Sequence, residues 1–415
     1  MSNQTPQNLK GFRDFLPAEK RKRDFVMQKV VEVFERFGFA PLETPTLEYA
    51  ALLLGKYGEE ADKLVYTFTD NGDRKVGLRY DQTVPTARVL AQYQNDLPKF
   101  FRRYQIQNVF RADKPQKGRY REFMQCDIDI FGTTSLISDA EILACTYFAF
   151  QNVGYPEIEL RVNDRQLLFQ TLQKFANENV RVLSIIQTID KLDKMSEEDV
   201  VAELVKKGLT DEIGKTVLES LKKSNMSTNL QQIIDAAIAL GVPANVLKFT
   251  PNLARGLDYY TGMIFEVMLP NYASGSCGGG GRYDNLIQQL GGPNVPAVGI
   301  AFGFDRMVEA ANQLNLIPET VSGTKVLVTV FEEKYLSQSL QTTAKFRQAG
   351  IPTEVYPTFD KIGKQFKFAD QKNIPFVVII GEEEVAQNKI TLKNMKDGTQ
   401  ESFAITDAIK ELASN

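Results

Sequence analysis

Residues 275–284 read Gly-Ser-Cys-Gly-Gly-Gly-Gly-Arg-Tyr-Asp, and this run narrows the possible folds more than any other. Glycine loses more conformational freedom on folding than any other residue, so four in succession are costly. A fold keeps them where backbone has to pass close to a ligand or to a neighbouring strand. A flexible surface loop is the other way to accommodate them. Strand-like sequence on both sides, from Leu253 to Gly303, favours the crowded strand.

Upstream of that run the pattern is one helix followed by hairpins. Residues 18–37 place Phe25, Val26, Val30, Val33, Phe34 and Phe37 at helical spacing, and Gly38 stands where such a helix would end. Phe39 to Pro45 reads as a strand, followed by a polar loop. Residues 64–69 and 74–79 flank Asp70-Asn71-Gly72-Asp73, a hairpin signal. Residues 103–111 and 121–131 are two further strand candidates. The charged loop between them, Ala112 to Arg119, makes them a long antiparallel hairpin.

From about Asp164 to Lys248 charged helical patterns take over. Leu183, Ile186, Ile189 and Leu192 mark one helix face, and Val200, Val201, Leu204 and Val205 another. This predicts an α-helical insertion over 164–248, dividing a core made of 1–163 and 249–320. A short polar linker, Thr320 to Gly323, then separates off the rest. Lys325–Val330, Thr353–Tyr356 and Pro375–Ile380 are strand patterns separated by helices, one ending at Ala349 and one over Lys361–Asn373. That alternation predicts a small α/β domain with a largely parallel sheet over 324–415.

The 415 residues include no histidine and no tryptophan. Ser-His-Asp and Cys-His catalysis, imidazole bases and His-ligated metals are therefore excluded. Three dispersed cysteines, Cys126, Cys145 and Cys277, suggest neither a disulfide framework nor zinc, and no protein-built metal centre is expected. The chemistry must fall to carboxylates, arginines, lysines, tyrosines or a metal carried by substrate. Hydrophobic residues at 43% and charged residues at 24% describe a globular chain. A net charge of −3 neither indicates nor excludes a nucleic-acid partner, because a binding face can be locally basic. The polar stretch Met1–Lys10 and the lack of an apolar run of about 18 residues predict a cytoplasmic chain with no membrane partner.

Two arginine-bearing segments accompany the glycine run. In Phe110 to Gln125, arginines 111, 119 and 121 sit on or beside the hairpin. A guanidinium suits phosphate or carboxylate recognition, although a solvated, salt-bridged hairpin would look the same. Ala297 to Arg306 is apolar and small-residued, with Asp305-Arg306 where a helix begins. There an arginine pairs either with a nucleotide phosphate or with a structural carboxylate.

Taken in order, these segments resemble the class II aminoacyl-tRNA synthetases, and within them the histidyl-tRNA synthetase family, over nearly the whole chain. Gly11-Phe-Arg-Asp-Phe-Leu-Pro17 resembles the family's opening signature. The helix and strand ending at Pro45 resemble motif 1, Phe110–Gln125 motif 2 and Gly299–Arg306 motif 3. Leu78-Arg-Tyr-Asp-Gln-Thr-Val-Pro85 resembles the amino-acid-binding segment. Arg255-Gly-Leu-Asp-Tyr-Tyr260 and Gly278–Asp284 resemble the two histidine-specific signatures, and the tail from Lys325 an anticodon-binding domain. The implied fold is α+β: a class II synthetase core on an antiparallel sheet, a helical insertion and a C-terminal α/β anticodon-binding domain.

The resemblance implies L-histidine, ATP and tRNA(His) as partners, Mg²⁺ bound mainly through ATP, and a homodimer. It places Asp81, Thr83 and Gln125 at the substrate ammonium, and Asp129, Tyr259 and Tyr260 at the imidazole. Arg111 and Arg255 fall where the carboxylate and α-phosphate are gripped, Arg255 being the main catalytic candidate. Arg111, Arg119, Arg121 and Arg306 fall at ATP. Gln116 and Lys117 are candidates for the tRNA acceptor end, and Lys361, Lys364 and Lys367 for anticodon phosphates or simply a solvated face. Many bacterial members carry Glu where this chain has Asp81 and Asp129, so the pocket geometry is expected to differ slightly. A non-catalytic paralogue serving histidine biosynthesis is the competing reading.

Overall fold

The computed structural model describes residues 6–55, 62–115, 120–255, 259–272, 275–318, 323–330 and 332–414. The chain forms two units, Met1–Ile317 and Pro318–Asn415. Positions 320–322 of the linker expected at Thr320 to Gly323, and Gly256 to Asp258 of the Arg255–Tyr260 signature, lie outside the described residues.

The first unit opens with a helix, Pro17–Arg36, whose Val26, Val30, Val33 and Phe34 are buried. It stops as anticipated at Gly38, which takes φ +76. Phe39 N–H then donates back to Phe34 O, closing the last turn. The expected strand after it is reduced to β1, Ala40–Pro41. The segment expected as a polar loop contains β2, Leu47–Tyr49, and a short helix, Ala50–Leu53. The hairpin is present as β3, Thr67–Thr69, and β4, Lys75–Leu78. Its turn is a three-residue one with Asp73 at φ +57, and Asp70 Oδ1 accepts from both Gly72 N–H and Arg74 N–H. Asn71-Gly72 thus marks the hairpin without forming a two-residue turn.

The large sheet contains eight strands. After β1 come β5 (Phe101–Phe110), β6 (Glu122–Phe131), β7 (Glu159–Asp164) and β8 (Leu247–Phe249), then β9 (Met263–Met268), β10 (Gly278–Arg282) and β11 (Ala297–Phe302). Their order is β1-β5-β6-β11-β10-β9-β7-β8. The six inner strands pair antiparallel throughout; only the two edge strands, β1 and β8, pair parallel. Alternation along β6 sends Cys126, Ile128 and Ile130 into the core beneath the sheet. That core is shared with the first helix and with Leu136–Val153, a helix buried on nearly every side.

Between β7 and β8 the chain is mainly helical, with helices at Arg165–Leu172, Val182–Ile189, Glu197–Lys207, Asp211–Lys222 and Thr228–Ala239; Leu247 and Lys248, expected in the insertion, instead belong to β8 of the large sheet. Three face residues are less buried than expected. Leu183 and Leu192 are only half-buried, and Ile185 joins the stripe; Val205 is exposed, while Val200, Val201 and Leu204 are buried. The last helix packs Leu230, Ile233, Ile234 and Ala237 into the core under the main sheet.

In the second unit, β12 (Val326–Val328) lies between β13 (Thr353–Val355) and β14 (Phe376–Ile379), parallel to both. An antiparallel hairpin, β15 (Ile390–Asn394) and β16 (Gln400–Phe403), extends the sheet beyond β14. The sequence pattern did not resolve that hairpin.

Candidate active site

The glycines form a strand. Gly278–Arg282 is β10, buried at every position, between β9 and β11. A Cβ on Gly280 would overlap Gly299 O, and one on Gly281 would overlap Met263 O. A Cβ on Gly279 would occupy the space of the Arg255 guanidinium. Gly299, on the adjacent strand β11, is constrained in the same way: a Cβ there would overlap the Asp129 carboxylate. The missing side chains leave room for the Arg255 guanidinium and the Asp129 carboxylate.

These strands floor a cavity of about 790 Å³ lined by Asp81, Thr83, Arg111, Gln125, Asp129, Arg255, Tyr259, Tyr260 and Arg306. Asp81 precedes the helix Thr83–Gln92, and its Oδ1 accepts from Val84 N–H at 3.1 Å. That bond fixes the carboxylate at the helix N-terminus, where negative charge is favoured. Gln125 Oε1 is buried without a hydrogen-bond partner among the described residues. Arg111 donates to Tyr80 O at 3.2 Å and lies over the Tyr80 ring at 4.4 Å. Arg306 donates to Ser276 O at 2.5 Å.

Arg255 has φ +43, a left-handed conformation rare for a side chain of its size. Its Nη1 donates to Phe265 O at 3.4 Å and to Glu266 Oε1 at 3.2 Å. The guanidinium lies 5.6 Å from the Tyr260 ring centroid. Tyr259 and Tyr260 have centroids 4.6 Å apart, and Tyr283 meets Tyr259 edge-on at 6.0 Å.

Asp129 is held from two sides. Arg103 Nη2 lies 2.8 Å from its Oδ2, and Tyr283 OH donates to its Oδ1. Burial pushes the Asp129 pKa up, while Arg103 and Tyr283 pull it down. Arg103 is nearly fully buried and also donates to Gln105 Oε1 at 3.3 Å. The sequence reading gave no role to Arg103, Asp127 or Glu266, nor to Tyr283, which lies within the Gly278–Asp284 signature. Alternation on β6 points to Asp127, two residues from both Gln125 and Asp129. Arg103 becomes visible only once the hairpin register sets it opposite Asp129.

Arg121 is not brought into the cavity. Its Nε donates to Asp113 O at 3.0 Å and its Nη1 to Lys10 O at 3.3 Å, and its stem fills the space beside Gly11. Arg119, Gln116 and Lys117 lie outside the described residues. Lys361, Lys364 and Lys367 are exposed in the second unit, where Lys364 pairs with Asp360 at 2.8 Å. Asp305, beside Arg306, is bound by Arg13 at 2.7 Å and by Arg23, tying the opening signature to the start of the last core helix.

Six antiparallel strands, with arginines and carboxylates gathered over the middle ones, define a class II aminoacyl-tRNA synthetase core. Residues 11–307 match the family model described as histidyl-tRNA synthetase, and residues 325–415 match the anticodon binding domain. The chain is 39% identical to the histidine–tRNA ligase of Cytophaga hutchinsonii, over 98% of this chain and 99% of that protein. It is 38% identical to the one from Wolinella succinogenes, over 98% of each. The crystal structure of histidyl-tRNA synthetase from Nostoc sp. PCC 7120 is similar at TM-score 0.86 and 30% identity, covering 100% of this chain and 99% of that one. This chain belongs to the histidyl-tRNA synthetase family.

Proposed function

We propose that the chain is a histidine–tRNA ligase. It converts L-histidine and ATP to histidyl-adenylate and pyrophosphate, then passes the histidyl group to the 3′ end of tRNA(His). The observation that carries this reading is the convergence of Asp81, Thr83, Arg111, Gln125, Asp129, Arg255, Tyr259, Tyr260 and Arg306 on one cavity. Asp81, Thr83 and the unbonded Gln125 Oε1 offer three acceptors to the three N–H donors of an ammonium. Asp129 and Tyr260 address the imidazole, with Tyr259 packed against Tyr260.

In the first step a carboxylate oxygen of histidine bonds to the α-phosphorus of ATP, and the bond to the β-phosphate oxygen breaks. Arg111 and Arg255 stabilise the charge that builds on the α-phosphate, and Arg306 holds the nucleotide's phosphate tail. In the second step the terminal ribose hydroxyl attacks the adenylate carbonyl and AMP leaves. A phosphate oxygen of the adenylate takes the hydroxyl proton, so a chain without histidine needs no imidazole base. Among the described residues no three acidic or thiol groups gather to hold a metal by themselves. Mg²⁺ carried on the ATP phosphates would screen their charge when bound.

The tRNA acceptor end falls to Gln116 and Lys117, and the anticodon to the 324–415 domain, with Lys361, Lys364 and Lys367 supplying phosphate contacts. The working form is a homodimer, and the setting is the cytoplasm. Among the described residues no helix is long and apolar enough to cross a membrane. A non-catalytic regulatory role is not favoured, because Arg255 is retained and an anticodon-binding domain is present. Exchange of labelled pyrophosphate into ATP tests the reading and should require histidine. No exchange refutes an adenylating enzyme, and exchange supported by another amino acid refutes the specificity.

A further inference from the structure

We propose that Asp127 is a further specificity-determining residue, accepting an N–H of the substrate's ring so that the pocket selects imidazolium over a neutral ring. This rests on the histidine-activating reading above.

Gln125, Asp127 and Asp129 alternate along β6 and all line the cavity. Asp127 is 4% exposed, and its Oδ1 has no hydrogen-bond partner among the described residues. The charged groups that bear on it are Arg103 from β5, Asp129 on its own strand, Asp81 ahead of the Thr83–Gln92 helix, and Arg111 just beyond β5. Its cross-strand neighbours, Gln105 and Ala301, carry no charge. Arg103 is committed to Asp129, and Arg111 is bonded to Tyr80 O and laid over its ring. Arg103 and Arg111 bring two positive charges against three negative ones on Asp81, Asp127 and Asp129 when all are ionised, so this group is short of positive charge by one. An unpaired carboxylate in such a place is costly, and burial holds the Asp127 pKa well above the usual carboxylate range.

A ligand bringing an N–H and a positive charge removes that cost. The substrate ammonium already has Asp81, Thr83 and Gln125, so the ring is the group left for Asp127 to meet. An imidazole titrates near pH 6.5 in water, and carboxylates beside it raise that value. The proton balance is simple. A neutral ring meeting protonated Asp127 takes its proton, and a cationic ring meeting ionised Asp127 brings its own. Both routes give one imidazolium donating to one carboxylate. The complex therefore holds a proton that the free partners lose as pH rises. The chain itself contains no histidine, so no protein imidazole titrates in the same window.

The test compares histidine with its triazole analogue, an isostere whose ring stays neutral near pH 7, in pyrophosphate exchange from about pH 6 to about pH 9. With wild type, the KM for histidine should rise with pH. Asp127→Asn should raise the histidine KM roughly tenfold near pH 7, with kcat changing less than about threefold, and should flatten the pH dependence. The KM for the analogue should move less than about threefold. Equal KM increases for both substrates, an unchanged KM, or a loss confined to kcat would overturn the proposal. If Asp127→Asn does not fold, histidine titrations of wild type in buffers of different ionisation enthalpy decide the matter. The assignment requires proton uptake that grows with pH, and none overturns it. Wild-type exchange that ignores histidine would instead sink the underlying functional reading.

Discussion

Arg282 ends the glycine strand and Arg255 packs against it at Gly279, and their surroundings are opposite in kind. Arg282 spends its whole guanidinium inside the protein. Its Nε donates to Asp139 at 3.1 Å, Nη1 to Thr133 O and Asp284 Oδ1 at 3.0 Å each, and Nη2 to Ser138 Oγ at 3.0 Å and to Asp139. On Arg255, Nη1 is bonded to one carbonyl and one carboxylate at the longer distances of 3.4 and 3.2 Å. Its Nε is buried with no partner among the described residues. An arginine has five donors. One whose donors are all used holds structure together, and one that keeps donors in a cavity is equipped to receive an anion.

Four variants test this contrast, in descending order of effect. Arg282→Met should lower the unfolding free energy by about 3–5 kcal/mol, because Asp139 would be left buried and unpaired. Urea denaturation measures that. If stability barely changes, the Arg282 cluster is not the structural pole of the comparison. Arg255→Ala should slow pyrophosphate exchange by about 10²–10³-fold at nearly unchanged stability, and should affect transfer from preformed adenylate far less. Equal loss in both steps would remove its special place at the α-phosphate.

Gly279→Ala sits between the two poles, since the added methyl displaces the Arg255 guanidinium. It should cost about 1–3 kcal/mol in stability and reduce exchange at least about tenfold. Full activity would mean that Arg255 need not occupy its observed position. Arg121→Ala should be mildest, at about 1 kcal/mol of stability with little change in the KM for ATP. A large rise in that KM would return Arg121 to the nucleotide site its sequence position suggested.

The long hairpin could be read from the sequence because its period, its turn residues and its apolar faces all agree. The glycine run could be read as a crowded strand because only close backbone approach justifies it. What stayed hidden was pairing across strands. Alternation says which face Asp129 takes, but not that Arg103 stands opposite or that Tyr283 reaches it from beyond β10. The Leu136–Val153 helix is apolar on nearly every side, so it shows little of the two-sided pattern that marks a surface helix. Arg121 illustrates another limit. Spacing puts it beside Arg111 and Arg119, while its direction is decided by carbonyls at Asp113 and Lys10, the latter 111 residues away. Val205 shows the same limit at a helix edge, where one residue beyond the stripe meets solvent.

A strand of glycines also governs where new substrate preferences can arise. The glycines of β10 contribute no side chain to the cavity; the Arg255 guanidinium and the backbones of β9 and β11 occupy the space theirs would take. In a saturation library, positions 279, 280 and 281 should reject replacements by size alone, whatever their charge or polarity. Positions 127 and 129 should sort replacements by charge. Selection for a different amino acid therefore has to rewrite β6, two strands away, while leaving the glycine stretch of β10 blank.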